Sequence, residues 1–206
     1  MTDLKNIPGY MPLDTLDTLS DIIKQRPNLR TVVEVGSYCG RSAIAIAQKV
    51  SLDTNVFCID HFYDEIMINS MYADGKDGRP LNNSIIKQYE EFVKYTSPYP
   101  NIHMMRGHFP YTVQWTGEDI DVMYLDSDHK NPEDLDILSH MCKFMKAGSV
   151  LMGDDHNEDY IHGQAVIDNV KLLETVYNTK AEFFGERKDL WLIHVTKDYI
   201  NLEEYL

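Results

Sequence analysis

Carboxylates in this 206-residue chain collect where short apolar runs end. Asp60 follows the run Asn55–Ile59, Asp126 and Asp128 follow Ile120–Leu125, and Asp154 and Asp155 follow Ser149–Met152 after one glycine. Asp126 ends one predicted strand and Asp154 and Asp155 end the next, so these three side chains can meet across neighbouring strands. Like charges at that spacing repel strongly unless a cation neutralises them. An all-oxygen ligand set selects Mg2+, Ca2+ or Mn2+ over zinc. The competing reading is a set of exposed acidic loop tips. His156 adjoins the same acids, where a lone histidine is more often a surface partner than a ligand.

The run Thr31–Val35 ends instead in glycine. Gly36 lets the chain leave a strand in a conformation other residues resist, and lets the backbone approach a ligand closely. Gly40 precedes a helical run whose first N–H groups are free for a polar ligand. Glu34, two residues before the turn, can set a negative charge near a cationic ligand. Asp60, about twenty residues beyond the second glycine, suits ribose hydroxyls. The turn reads G-x-x-x-G rather than G-x-G-x-x-G. By itself it fits a tight strand-to-helix turn with no ligand as well.

The elements that must position these groups alternate along the chain. Strands are predicted at Thr31–Val35, Asn55–Ile59, Ile102–Met105, Ile120–Leu125, Ser149–Met152, Ala181–Phe184 and Leu190–Val195. Helices are predicted at Leu13–Gln25, Ser42–Val50, Asn83–Tyr95, Pro132–Met145 and Gly163–Tyr177. Alternation of this kind predicts an α/β fold: a doubly wound, mostly parallel seven-stranded sheet with helices on both faces and a C-terminal antiparallel hairpin. Ligands of such sheets bind beyond the carboxyl ends of the strands, where the glycine turn and the acids converge. Between His61 and Leu81 periodicity dissolves, and a loop of that length reads as a lid or binding insertion in a single 1–206 domain.

Composition narrows the partners. With 43% hydrophobic and 25% charged residues the chain can bury a core without disulfides or metals. Its 19 Lys and Arg against 33 Asp and Glu leave a formal net charge of −14, and no basic cluster is visible, so no nucleic acid is expected as substrate. Cys39, Cys58 and Cys142 are scattered without a CxxC pair, against a disulfide framework or zinc ribbon. Neither a signal peptide nor a membrane-spanning run is apparent, so a cytoplasmic protein without a membrane partner is expected.

Together these segments resemble class I S-adenosylmethionine-dependent methyltransferases, in particular metal-dependent small-molecule O-methyltransferases. Val33–Ser42 (VEVGSYCGRS) resembles the turn that holds the methionine part of the cofactor. Asp60 matches the acid that binds its ribose. Leu125–Lys130 (LDSDHK) and Lys146–Asp155 (KAGSVLMGDD) resemble the paired motifs of two groups: the catechol and caffeoyl-coenzyme A enzymes, and the macrolide- and aminocoumarin-sugar enzymes. The resemblance implies S-adenosylmethionine held by Glu34, Gly36, Ser37, Gly40, Ser42, Asp60, His61, Gly107 and Asp126. It implies Mg2+ held by Asp126, Asp154 and Asp155, and a small hydroxyl acceptor. Arg106 is placed near the adenine on the same ground.

Catechol-type enzymes carry a lysine where this chain has His129, and sugar-type enzymes an aspartate at the position of Asp128. The general base therefore rests between Asp128 and His129, with the sugar-type pattern favouring Asp128. The segments His61–Leu81 and His108–Trp115 would shape the acceptor pocket. Tyr63, Met67, Met71, Tyr72 and Trp115 would line it, or serve as plain packing. Relatives are often dimers or larger, which implies a homo-oligomer. The rival functions are a nucleotide-binding oxidoreductase, a metal-dependent hydrolase using the same acids, and a non-catalytic cofactor-binding relative. The missing third glycine weighs against the first, and the glycine turn with Asp60 against the second.

Overall fold

The computed structural model describes residues 2–64, 66–68, 84–160 and 162–206. In chain order the elements are α1 (Leu13–Lys24), β1 (Thr31–Val35), α2 (Arg41–Ala47), β2 (Asn55–Asp60), β3 (Ile66–Ile68), β4 (Ser84–Ile86), α3 (Gln88–Thr96), β5 (Ile102–Arg106), β6 (Ile120–Leu125), α4 (Glu133–Met141), β7 (Met145–Gly153), α5 (Gly163–Tyr177), β8 (Glu182–Phe184) and β9 (Leu190–His194).

Seven strands form one sheet in the order β5-β2-β1-β6-β7-β9-β8. The first five run parallel, and β9 is antiparallel to both β7 and β8. The predicted mixed sheet with its terminal hairpin is therefore present. The chain builds outward from β1 to β2 and β5, then returns to β6 on the other side of β1. That reversal opens a crevice at the carboxyl ends of β1 and β6.

Strand periodicity divides the core in two. Val32, Val56, Cys58, Val122, Tyr124, Val150 and Met152 face Leu16, Leu19 and Ile23 of α1, Ala43 and Ile46 of α2, and Phe92 of α3. Val33, Val35, Ile59, Met123, Leu125 and Leu151 face Ile137, Leu138 and Met141 of α4 and Val166, Val170 and Leu173 of α5. Successive strand residues point to opposite faces, so a strand buried on both sides is apolar at most positions, as β1 and β6 are apart from Thr31, Glu34 and Asp121. All three cysteines are free and buried.

Three local expectations change. Residues 84–86, predicted as helix, pair antiparallel with 66–68 as a hairpin stem, and α3 starts at Gln88. The helix predicted to run from Pro132 to Met145 stops at Met141, tightens into a 3-10 turn at Cys142–Phe144, and passes straight into β7 at Met145. Lys146, Ala147 and Gly148, ahead of the predicted strand start at Ser149, belong to that strand. The Gly148 N–H donates to Val195 O at 2.9 Å, so the partner strand claims this segment. Finally, α2 is shorter than predicted and ends at Ala47.

Met71 and Tyr72 lie outside the described residues, as does the side chain of Met67. No helix of the described residues is long and apolar enough to cross a membrane.

Candidate active site

Val35 pairs with Ile59 and Leu125, and Leu125 pairs with Gly153. The next residue on each of these four strands is Gly36, Asp60, Asp126 and Asp154. The glycine and three of the predicted acids thus occupy one row across β2, β1, β6 and β7. Backbone hydrogen bonds carry the ladder into that row: Gly36 N–H to Ile59 O (2.9 Å), Asp126 N–H to Val35 O (2.9 Å) and Asp154 N–H to Leu125 O (3.3 Å).

The row explains Gly36. Its φ is +96°, and a Cβ there would stand 1.8 Å from the carbonyl oxygen of Asp126. Only glycine lets β1 turn away this close to β6. The Gly36 N–H and the turn that follows are held toward β2, where Asp60 Oδ2 accepts from the Tyr38 N–H (2.7 Å) and Oδ1 from the Phe62 N–H (3.2 Å). Burial pushes the Asp60 carboxyl above its usual range, and those backbone donors pull it back. Gly107 lies past the end of β5, and its N–H donates to Asp60 O at 2.9 Å.

Glu34 lies two residues before the turn on the α2 side of the sheet, between Cys58 and Tyr124. It is fully buried, and Ser42 of α2 donates to its Oε1. Its Oε2 has no hydrogen-bond partner, and burial raises its pKa. Ser37 is buried in the same turn, and Gly40 caps α2 with φ +82°. The described cofactor candidates therefore lie around one turn and the strand ends beside it.

The predicted metal ligands act on one another electrostatically, although among the described residues their carboxylate oxygens do not close into a group within 4.8 Å. Burial, then the charges of Asp154 and Asp155, raises the Asp126 carboxyl well above its usual range. Burial and the Asp155 charge bring Asp154 up to about 7, and Asp155 is raised chiefly by burial. The buried Tyr124 hydroxyl donates to Asp126 Oδ2 (3.2 Å), while Asp154 Oδ1 has no partner. Asp155 sits at φ +61°, an unusual conformation for a non-glycine residue. The His156 ring packs against Phe183, ring centroids 4.4 Å apart and planes tilted by 42°.

Asp128 and His129 have opposite surroundings. The Asp128 side chain is 84% exposed and pairs with Lys130 at 3.2 Å. His129 is 2% exposed, at φ +52°. Its Nδ1 lies 3.0 Å from Asp134 Oδ2, and Asp134 also accepts from the Ser127 hydroxyl at 2.7 Å. The opposite nitrogen, Nε2, has no partner and stands 4.0 Å from Asp155 Oδ2. Burial opposes the imidazolium, yet the Asp134 bond and the charges of Asp134, Asp126 and Asp155 outweigh it and lift His129 to about 9.

Sequence reasoning missed several supports. Asp134 carries no motif, although it opens α4 among Glu133 and Asp136, where acids suit a helix N-terminus. Trp191 on β9 donates to the Asp154 carbonyl at 3.3 Å. Arg41 donates to Gly9 O and Met11 O, tying the N-terminal segment over the glycine turn. Gln88 accepts from the Tyr63 N–H and donates to Tyr38 O, linking α3 to both loops. Trp115 is core: it is buried and meets Phe57 edge-on at 4.8 Å. Tyr63 is exposed and stacks on His61. Arg106 pairs with Asp64 at 2.9 Å and lies over the Tyr89 ring.

A doubly wound sheet with a glycine turn and an acid row at its switch point is the frame of a methyltransferase. Residues 33–156 match the family model described as a methyltransferase domain, and the chain belongs to that family. No curated protein sequence matches it. Among solved structures, the O-methyltransferase from Bacillus cereus in complex with SAH superposes with a TM-score of 0.62 at 16% identity, over 93% of this chain and 85% of that one. TomG, the Streptomyces achromogenes O-methyltransferase involved in tomaymycin synthesis, in complex with SAM, gives 0.61 at 15% identity, over 90% and 81%. A methyltransferase from Geobacter sulfurreducens gives 0.59 at 15%, over 92% and 80%.

Proposed function

We propose that the protein transfers the methyl group of S-adenosylmethionine to a hydroxyl of a small molecule, assisted by Mg2+. The observation that carries this reading is the row Gly36, Asp60, Asp126 and Asp154, with the unpartnered Nε2 of His129 facing it. Structural neighbours crystallised with SAM or SAH support the cofactor.

The residues fit both groups. Glu34 Oε2 is a buried, unpartnered acceptor beside the turn, suited to a cationic ligand. We assign the ribose to Asp60, and further cofactor contacts to Ser37, Gly40, Ser42, His61 and Gly107. Asp126, Asp154 and Asp155 offer a hard-cation ligand set whose carboxyl pKa values are raised by burial first and, at Asp126 and Asp154, by the neighbouring acids. A divalent cation there would lower the acceptor hydroxyl's pKa and orient its oxygen.

The chain's own task is to position and to move one proton. Asp134 holds the His129 ring with Nε2 toward the acids. With the charges of Asp126 and Asp155 offset, that nitrogen is free to take the acceptor's hydroxyl proton as methyl passes from sulfur to oxygen. Asp128, exposed and paired with Lys130, is the less suited base. The products are the methyl ether and the demethylated cofactor.

Calorimetric titration with S-adenosylmethionine and its demethylated product, with and without Mg2+, tests the reading. Both compounds should bind at micromolar concentrations. The heat of Mg2+ binding should vanish in the Asp154→Ala/Asp155→Ala variant, which keeps cofactor affinity and loses turnover. Failure of both compounds to bind removes the methyltransferase activity, and unchanged turnover in the variant removes the metal's role.

A further inference from the structure

His108 and Glu133 have no part in the methyl-transfer chemistry, and His61 enters it only at the edge of the cofactor set. The three come from separate places: His61 follows the end of β2, His108 lies two residues past β5, and Glu133 opens α4. Among the described residues they form a group in which one ligand atom from each lies within 4.8 Å of the others. The His61 and His108 rings are 4.7 Å apart between centroids and tilted by 44°. His108 Nε2 and Glu133 Oε1 are in hydrogen-bond contact.

Each imidazole is braced from behind. His61 stacks on Tyr63 at 4.9 Å with only 11° between ring planes, and its carbonyl accepts from Arg106 Nε at 3.3 Å. The His108 N–H donates to the Thr112 hydroxyl at 2.7 Å, and its ring meets Tyr111 edge-on at 4.8 Å. The Tyr111 hydroxyl in turn donates to Asp136 of α4. Rings supported in this way lose little further freedom on binding an ion, which favours binding.

We propose that His61, His108 and Glu133 form a site for a borderline transition-metal ion such as Zn2+ or Co2+, distinct from the Asp126, Asp154 and Asp155 set. Two imidazoles and one carboxylate match such ions and suit Mg2+ and Ca2+ poorly. Ligand bonds of the usual length place donor atoms roughly 3.3 Å apart, so the group closes on an ion by small side-chain rotations. The His108 and Glu133 side chains are 39% and 36% exposed. An ion therefore has an entry path, and water can fill the remaining coordination positions.

The test uses untagged, full-length protein in excess Mg2+, titrated with Co2+ and followed by visible absorption. One Co2+ per chain should give d–d bands that Zn2+ displaces. The bands should be lost in His108→Ala, in His61→Ala and in Glu133→Gln, each checked by circular dichroism for an unchanged fold. They should persist in Asp154→Asn/Asp155→Asn. Absence of bands in the unaltered protein overturns the proposal. So does a signal that survives the His108 and Glu133 changes, or one lost with the acid-row variant, which would place the ion at β6 and β7. Cofactor binding does not enter this readout, so the methyl-transfer reading can fail without touching it.

Discussion

His129 and Asp128 are neighbours in the chain, and only their surroundings separate them. The imidazole is buried, oriented by Asp134 and unpartnered at the nitrogen that faces the acids; the carboxylate stands in solvent against Lys130. A general base contributes about 10^2–10^4-fold to rate, so His129→Ala should cost turnover within that range while cofactor affinity holds. Asp134→Asn keeps the packing but loses the charge that holds the ring, and should lower kcat with little change in KM. Asp128→Asn should retain near-normal kcat; a collapse there would move the base to Asp128. Glu34 makes a different prediction. Its buried, unpartnered oxygen is destabilising when ionised and useful only to a cation. Glu34→Gln should leave the free protein as stable or more so at pH 8, and weaken S-adenosylmethionine about tenfold or more. Unchanged affinity would remove Glu34 from the cofactor site. Most acids of the row were legible because they follow strand ends. The choice between two adjacent bases was not, because burial and the Asp134 bond arise only when α4 docks.

Two close approaches between strands hold the row in place, and both depend on glycine. A Cβ on Gly36 would collide with the Asp126 carbonyl, and one on Gly153 would stand 2.4 Å from the Trp191 ring. Gly36→Ala combines that collision with a positive φ and should cost about 3 kcal/mol or more, seen as a large drop in the denaturant midpoint. Gly153→Ala instead pushes on Trp191, whose indole donates to the Asp154 carbonyl. It should shift the Trp191 fluorescence and weaken Mg2+ more than S-adenosylmethionine; equal loss of both would mean general unfolding. The central strands were readable because burial on both faces makes β1 and β6 apolar at most positions. The end of α4 was not. Cys142, Phe144 and Met145 continue its apolar spacing, so the sequence shows no sharp boundary where the helix tightens into a 3-10 turn and gives way to β7. The β3–β4 stem escaped notice because each strand is three residues long, too short to show alternation.

At the scale of the molecule the acid row is a stored electrostatic cost in a chain of net charge −14. Glu34, Asp60, Asp126, Asp154, Asp155 and Asp189 all have carboxyl pKa values raised by burial first, Asp154 to about 7, and His129 is lifted to about 9. Unfolded, the carboxyls titrate near ~4 and histidine near ~6.5. The folded chain therefore binds more protons than the unfolded one between about pH 4 and pH 9, and its stability must fall as pH rises through that window. The carboxyls contribute fully below their unfolded pKa and lose that contribution as pH passes the folded one. His129 acts in the same direction between about 6.5 and 9. The lowered carboxyls Asp21, Asp119 and Glu174 oppose this, but they act only below about pH 4, and two of them are in exposed ion pairs of small weight. His156, lowered by burial, also opposes it, as one group against six carboxyls and His129, and only up to about pH 6.5. In the presence of chelator, Tm should fall steadily from pH 5 to pH 9. A divalent cation must displace those protons and offset the same charges, so saturating Mg2+ should flatten the upper half of the curve. Asp154→Asn/Asp155→Asn should flatten it without metal. A Tm that instead rises from pH 5 to pH 7 in chelator would mean that these acids are solvated, and the row would no longer be a site held ready for a cation.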